Sequence, residues 1–499
     1  MSLNVRNYNN KEMLLFPACI GDYLSKDHLA WIIDDVVEQL DLNCLYKKIS
    51  AVGNPPYHPK MMLKVLFYGY ATSNFSSRKI ARGTETDVAF IFLSGMQKPD
   101  FRTISDFRKN NLEELSSLFA QIVNLSKKLG LVELGHISLD STAIKANASK
   151  DNTYDEERLI LEERAITKKI KELLESAQSV DEKEDKIFGP NLRGDEIPEE
   201  LRSQEKRLQK LKEVKKQLQQ ESLKEINLTD PDATFQRQRS QIITGYRAEV
   251  AVDEKEQIIL ACDVINQAND TEQAIPLLEQ VEHNLPEVST TGSSVIITAD
   301  SNFSSMKNLK ELLSKENIDA YIPDSKYQAQ QRGNRTDEDS PFHPINFTYN
   351  PKKDVFLCPN HKELTFSYHT VDDKGNGLSI YHCHSCGNCK HFGRCTKSPE
   401  GRKIKVYDDI HLIRQMRQKL DTVEGKRIYS KRKAIVEPPI GNIKQNLAFR
   451  EFLLRGLKKV RAEFTLMAIV HNIKKIAKFL RKLLLFKLPR EDLIPLAAV

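Results

Sequence analysis

Apolar positions along the chain change their period several times, and each change marks a different kind of structure. From residue 1 to about 130 they fall three and four apart, as in "DHLAWIIDDVVEQL" and "PKMMLKVLFYGYATS", the spacing that gives a helix one buried face. "SSRKIARGTETDVAFIFLSG" and "TISDFRKNNLEELSSLFAQIVNLSKKLG" read as two further helices. Pro59 suits a first helical turn, Thr103 or Ser105 an N-cap, and Gly130 a stop. With a turn at Gly83, the segment "SRKIARGTETDVAFIFL" has the outline of a helix-turn-helix, a plain helical bundle being the alternative.

At "HISLDSTAIK" the period drops to two, the mark of a strand. Residues 155 to 225 then turn to Glu, Lys, Leu and Gln in two long charged stretches around the break "FGPNLRGDEIP". Their apolar stripe is too thin for a globular core, so they read as a helical hairpin inserted as an arm. Beyond it come strands "GYRAEVAVD" and "QIILACDVI", helix "TEQAIPLLEQVEHNL", strand "SSVIITAD", helix "SSMKNLKELLSKE" and strand "IDAYIP". Three strands followed by alternating helices and strands is the element order of a mixed α/β, ribonuclease H-like sheet. The expected division is an all-helical, DNA-binding part at 1–132, a catalytic core at 133–150 and 228–330, the hairpin at 151–227, a Cys-rich zinc-binding insertion at 340–402 and, at 405–499, a basic helical part of the catalytic domain that carries the last acid.

Composition sharpens this picture in three places. With 499 residues, 40% of them hydrophobic, the chain has room for two or three domains and a sizeable core. Its net charge of +6 conceals an asymmetry, because residues 401–499 carry 24 Lys and Arg against 9 Asp and Glu. A surplus of that size suits a polyanion, with nucleic acid first, and a solvated helical surface as the plainer account. The apolar, Lys/Arg-laced stretch "FLLRGLKKVRAEFTLMAIVHNIKKIAKFLRKLLLFKL" suits either a membrane surface or packing on the sheet with its basic face toward phosphates. No run of about 18 apolar residues and no secretory leader is present, so a cytoplasmic protein with no membrane partner is expected.

The chemistry begins with Asp140, a lone acid among apolar neighbours, and Asp300, which closes "SSVIITAD". In the expected sheet their strands are neighbours, so the two carboxylates meet. Glu437 in "RIYSKRKAIVEPPIGNIK" is the best third acid. Clustered carboxylates suit Mg²⁺ or Mn²⁺, and two such ions activate a water or 3′-hydroxyl and stabilise a leaving phosphodiester oxygen. Taken singly, Asp140 is a strand end, Asp300 a helix cap and Glu437 part of a solvated turn.

Cys358, Cys383, Cys386, Cys389 and Cys395 fall within forty residues, with His361, His384 and His391 close by. Clustered cysteines in a chain without a leader favour metal over disulfides. A Cys-x2-Cys pair with one distant and one later Cys suits structural Zn²⁺; C-x2-C-x2-C suits an iron–sulfur cluster; a reduced, metal-free cluster is the third reading.

"HPKMMLKVLFYGY", "ISLDSTAIKANAS", "DPDATFQ", "GYRAEVAVD", "IITADSNFSS" and "VEPPIGNIK", in this order, resemble the landmarks of the DDE transposases of bacterial insertion sequences. The resemblance implies DNA cleavage and strand transfer at terminal inverted repeats, double-stranded DNA (element ends and target) as partner, and a homodimer bridging two ends. It assigns Asp140, Asp300 and Glu437 to the acids and Tyr429, Arg432, Glu437 and Lys444 to a Tyr-Arg-Glu-Lys signature. The Arg432–Glu437 spacing is one residue longer than the commonest form, leaving Arg432 or Lys433 for the basic contact. Thr142, Lys145 and Asn147 then line the DNA path, and zinc falls to Cys358, Cys386, Cys389 and Cys395, with Cys383 surplus.

Overall fold

A computed structural model describes residues 19–49, 55–188, 199–220, 223–238, 241–267, 271–289, 294–372, 375 and 377–485. Most of the hairpin's Gly/Pro break and the end of the basic tail lie outside the described residues.

The first stretch forms helices α1 (Leu29–Glu38), α2 (Asn43–Tyr46), α3 (Pro59–Ala71), α4 (Ser77–Thr86), α5 (Val88–Leu93), α6 (Phe101–Asn110) and α7 (Glu114–Lys128). Pro59 opens α3 behind His58, whose Nδ1 accepts from the Lys60 amide. Two stretches expected as single helices are each broken in two. Asp87 is extended and its carboxylate accepts from the Ala89 and Phe90 amides, ending α4 and capping α5. α6 is capped by Asp100 through the Arg102 amide rather than by Thr103 or Ser105. The helix-turn-helix outline also fails. Gly83 lies inside α4, where a Cβ would come within 2.6 Å of the Phe90 ring. α5 has only six residues and buries Ala89, Phe90 and Leu93, so it has no polar face to offer a DNA groove.

β1 (His136–Lys145) begins the sheet. After it come β2 (Thr153–Tyr154), the arm α8 (Glu156–Phe188) and α9 (Glu199–Gln220), and β3 (Ile226–Asn227). The arm has a small apolar seam of its own, with Leu159, Ile166, Leu211, Val214 and Leu218 buried between the helices. Then follow β4 (Thr234–Gln238), β5 (Gln241–Asp253), β6 (Ile259–Ile265), α10 (Ala274–Asn284), β7 (Val295–Thr298), α11 (Met306–Ser314) and β8 (Ile318–Tyr321). β5 is long enough to pair β4 with its first half and β6 with its second. The remaining neighbours run β5-β1-β7-β8, with β5 antiparallel to β1 and both β7 and β8 in the parallel sense. This mixed α/β sheet has the ribonuclease H-like order expected from the element pattern.

After α12 (Ser325–Gln331) the chain builds a second, all-antiparallel sheet: β9 (Thr348–Asn350), β10 (Val355–Leu357), β11 (Glu363–Val371), β12 (Gly377–Cys383) and β13 (Arg402–Tyr407). Its separate core holds Phe347, Phe356, Leu364, Tyr381, Ile404 and Val406. α13 (Ile410–Asp421) and α14 (Val423–Gly441) then return to the central sheet, and α15 (Leu457–Leu485) closes the described chain.

α15 is not a surface helix. Phe464 and Leu466 to Val470 are no more than 1% exposed, because the helix is wedged between β6 and helices α3 and α7. Each such side chain contributes about 1.5–3 kcal/mol by leaving water. Asn472 adds two hydrogen bonds to the backbone of Ile259, at 2.9 and 2.8 Å. The N-terminal helices and the central sheet consequently share one apolar core. The middle of the helix is buried all round, as packing on the sheet requires. No described helix is long and apolar enough to cross a membrane.

Candidate active site and cysteine cleft

β1 and β7 run parallel with His136 opposite Ile296 and Ser138 opposite Thr298. Asp140 follows two residues later inside β1, and Asp300 follows two residues after Thr298, just past the end of β7. Side chains alternate across a strand, which gives Asp140 the face of Ser138 and His136. That face carries a buried polar column. Ser138 Oγ lies 2.7 Å and His136 Nε2 2.9 Å from Thr298 Oγ1, and His136 Nδ1 lies 3.3 Å from Glu254. Burial holds the His136 imidazole below its ordinary pKa, against the opposing pull of Glu254.

α14 lies across β1 and β5 and supplies Arg432, and the turn that follows it supplies Lys444. Arg432 is 7% exposed, and its Nη1 stands 3.4 Å from Asp140 Oδ2 with no hydrogen-bond partner among the described residues. Lys433, the other basic candidate, is exposed. Lys444 donates to Thr142 Oγ1 and, at 2.7 Å, to the Ala143 carbonyl. Tyr429 sits between the two aspartates' surroundings. Burial raises its phenol pKa, Arg432 opposes the shift and the charge of Asp300 reinforces it. Asp300 also caps the short turn after β7, accepting from the Asn302 amide at 2.9 Å.

Glu437 is exposed on α14, immediately before Pro438 and Pro439, which remain inside the helix. Among the described residues no three His, Cys, Asp or Glu side chains are grouped closely enough to hold a metal. The structure therefore brings Asp140, Arg432, Tyr429 and Asp300 to one place, without Glu437 completing a three-acid group. Lys145 and Asn147 are occupied by the protein itself: Lys145 pairs with Glu451 at 3.1 Å, and Asn147 bonds Leu453 and Arg455.

Three contributors escape a sequence reading. Gln328 on α12 donates to the Tyr429 hydroxyl at 3.3 Å and accepts from Ser301 at 3.1 Å, tying α14 to the loop of Asp300. Arg247 on β5 donates to Ser141 Oγ at 3.1 Å. The alternation His136, Ser138, Asp140 was visible as a pattern, but only the strand pairing gives it partners.

All five clustered cysteines line one narrow cleft of about 20 Å³ with Asn360, His391 and Arg402. The Cys358 loop turns tightly, so that the Lys362 amide donates to Cys358 Sγ at 3.4 Å. Burial pushes the Cys386 thiol up to about 11 and raises that of Cys395, with neighbouring thiols adding to both shifts. The donor set is that of a soft cation, although no three thiols stand within reach of one ion.

Residues 357–477 match the family described as "Transposase DDE domain", and residues 18–110 match "Transposase domain (DUF772)". The first match takes in the cysteines, α14 and most of α15, and the two aspartates lie outside it. No curated protein matches the chain. Among solved structures it is similar to the piggyBac transposase in its synaptic complex with hairpin DNA, at 10% identity and a TM-score of 0.32, over 97% of this chain and 80% of that one. So loose a likeness carries no structural argument.

Proposed function

We propose that the chain is a DDE-type transposase, a reading that its two partial domain matches support, and that it binds the terminal inverted repeats of its own element, cleaves there and joins the 3′ ends to target DNA. The observation that supports this reading is the parallel pairing of β1 with β7, which carries Asp140 on one strand and Asp300 just past the end of the other, with Arg432 beside Asp140. Transposases of this kind generally use divalent metal ions. In this reading Asp140, Asp300 and Glu437 would hold two Mg²⁺ or Mn²⁺ ions, which would supply an activated oxygen nucleophile and stabilise the leaving oxygen, although the three do not stand as one group among the described residues.

The chain's own side chains do the rest. Arg432 balances the Asp140 carboxylate, and Lys444 reaches over β1 with a point charge suited to a phosphate oxygen. Tyr429, held by Gln328, keeps Arg432 and the Asp300 loop in fixed relation. Lys145 and Asn147 border the DNA path. Cys358, Cys386, Cys389 and Cys395 would take a structural Zn²⁺, away from the cutting chemistry, only by drawing closer together than they stand in the described residues. Two copies of the chain bridge two DNA ends.

Replacing Asp300 with Ala should abolish metal-dependent cleavage of an end oligonucleotide and leave its binding intact. Undiminished cleavage would overturn the assignment. One observation favours a second reading: the three acids do not form one group among the described residues. A non-catalytic DNA-binding regulator of transposase descent would bind the same oligonucleotide without ever cutting it. A nuclease without strand joining would cut and give no insertions.

A further inference from the structure

The carboxylate site is not the only place shaped for DNA. α4 and α6 flank an open groove of about 530 Å³ lined by Ser76, Ser77, Arg78, Phe101, Arg102, Ser105, Asp106 and Lys109. Its centre is Phe101, half-buried between two guanidinium groups: Arg78 Cζ lies 5.0 Å from the ring centroid and Arg102 Cζ 5.6 Å. A guanidinium held near an aromatic ring loses less freedom on binding and keeps donors available at its edge, which suits bidentate contact with phosphate. Lys109 adds a third cation. Its contact with Asp106, at 3.7 Å between two exposed groups, is too weak to neutralise it. Three cations face one carboxylate, and three serine hydroxyls complete the donor set.

We propose that this groove binds the phosphate backbone of duplex DNA, as a second anchoring point separate from the carboxylate site. The inference rests on the reading of the protein as a DNA-binding transposase. The groove is open and shallow, suited to a polymer passing over it rather than an enclosed small anion. Its contacts are to phosphate and so are indifferent to base sequence.

The groove is also held in place relative to the carboxylates. Between Ser105 and Lys109, Arg108 points inward and donates to the Tyr70 hydroxyl at 2.8 Å. Tyr70 meets Glu463 of α15 at 3.3 Å, and the other Glu463 oxygen accepts from the amides of Leu453 and Leu454 at 3.0 Å each. Leu453 in turn binds Asn147, two residues past the end of β1. A polar strut, buried from Arg108 through Tyr70 to Glu463 and exposed at its Leu453–Asn147 end, thus runs from the wall of the groove to the end of the strand of Asp140. Duplex DNA seated in the groove would reach the aspartates at a set offset.

The test uses the full chain without divalent metal, binding a duplex carrying the element end and an unrelated duplex of equal length. Arg78→Gln and Arg102→Gln should each weaken both duplexes alike, by about fivefold, and lower the salt dependence by about one counterion. Phe101→Leu, which keeps both charges and loosens them, should weaken binding less. Both arginines are exposed, and unchanged melting temperatures would show that the variants fold. If wild type binds DNA and the arginine variants bind equally well with the same salt slope, the groove assignment is overturned. If wild type binds neither duplex, it is the transposase reading that fails. Loss confined to the element end would overturn the sequence-blind role proposed here.

Discussion

The two sheets place their reactive side chains by different physical means. In the central sheet the aspartates come from distant parts of the chain, Asp140 on β1 and Asp300 just past its neighbour β7, beside a buried column of His136, Ser138 and Thr298 that the strand register aligns. In the second sheet the thiols lie close in sequence and are gathered by loops around one cleft, at the edge of a small core. Register is rigid, because slipping by one residue would turn every side chain to the other face. Loops depend more on what they enclose. The first site should therefore tolerate loss of a ligand structurally while losing function, and the second should do the reverse.

The largest effect that tests this contrast is catalytic. Asp140→Asn should lower cleavage by about a thousandfold or more, since several kcal/mol of charge stabilisation depend on the carboxylate, with little change in melting temperature. Cys395→Ser should instead lower the melting temperature and leave cleavage at 25 °C within about tenfold, as expected for a structural cysteine. Gel assays of a labelled end duplex and thermal melts separate the two. Equal catalytic losses in both variants would erase the distinction.

Next comes acid sensitivity. His471 on α15 is fully buried between the Gln257 carbonyl and Asn442. Burial lowers its pKa to about 4. A depressed folded-state value means that its contribution is present above the ordinary histidine range and is lost as pH falls from about 6.5 toward 4. The loss is on the order of 3 kcal/mol. It should loosen the seam between α15 and the central sheet, and a denaturation series across that window, compared with His471→Gln, should show a flatter acid limb in the variant.

The second sheet should respond at the opposite end of the scale. The raised Cys386 thiol favours the folded state below its ordinary value, and this is lost as pH climbs toward about 11. Alkaline melts monitored by a probe on β12 should report it. A bound zinc ion would cancel the effect by holding the sulfur as thiolate, so metal analysis of the purified protein decides which behaviour to expect.

The smallest effect lies within the polar column. Thr298→Val leaves Ser138 and His136 short of a buried partner and should cost about 1–3 kcal/mol in stability, measured by denaturant titration. A neutral result would mean that the column is not what aligns β1 with β7.

Much of this arrangement was legible in the chain. The period-two runs located β1, β5, β6, β7 and β8, and their order specified the sheet. The errors fell where a local cap outweighed periodicity. Asp87 and Asp100 offer carboxylates to free helix-start amides, which breaks or shifts helices that the apolar spacing alone would continue. α15 packs on the sheet as its apolar spacing predicted, but its basic composition says nothing about which turns are buried all round.

The sequence by itself determined the element types, the mixed sheet and the identity of the reactive groups, because periodicity and residue chemistry are local properties. Only the tertiary structure decided that Arg432 rather than Lys433 turns toward Asp140, that Gln328 ties Tyr429 to the Asp300 loop, and that two arginines flank Phe101. Those relations depend on register and packing between segments tens to hundreds of residues apart, and no local pattern encodes the distance between two side chains that meet only when the core closes.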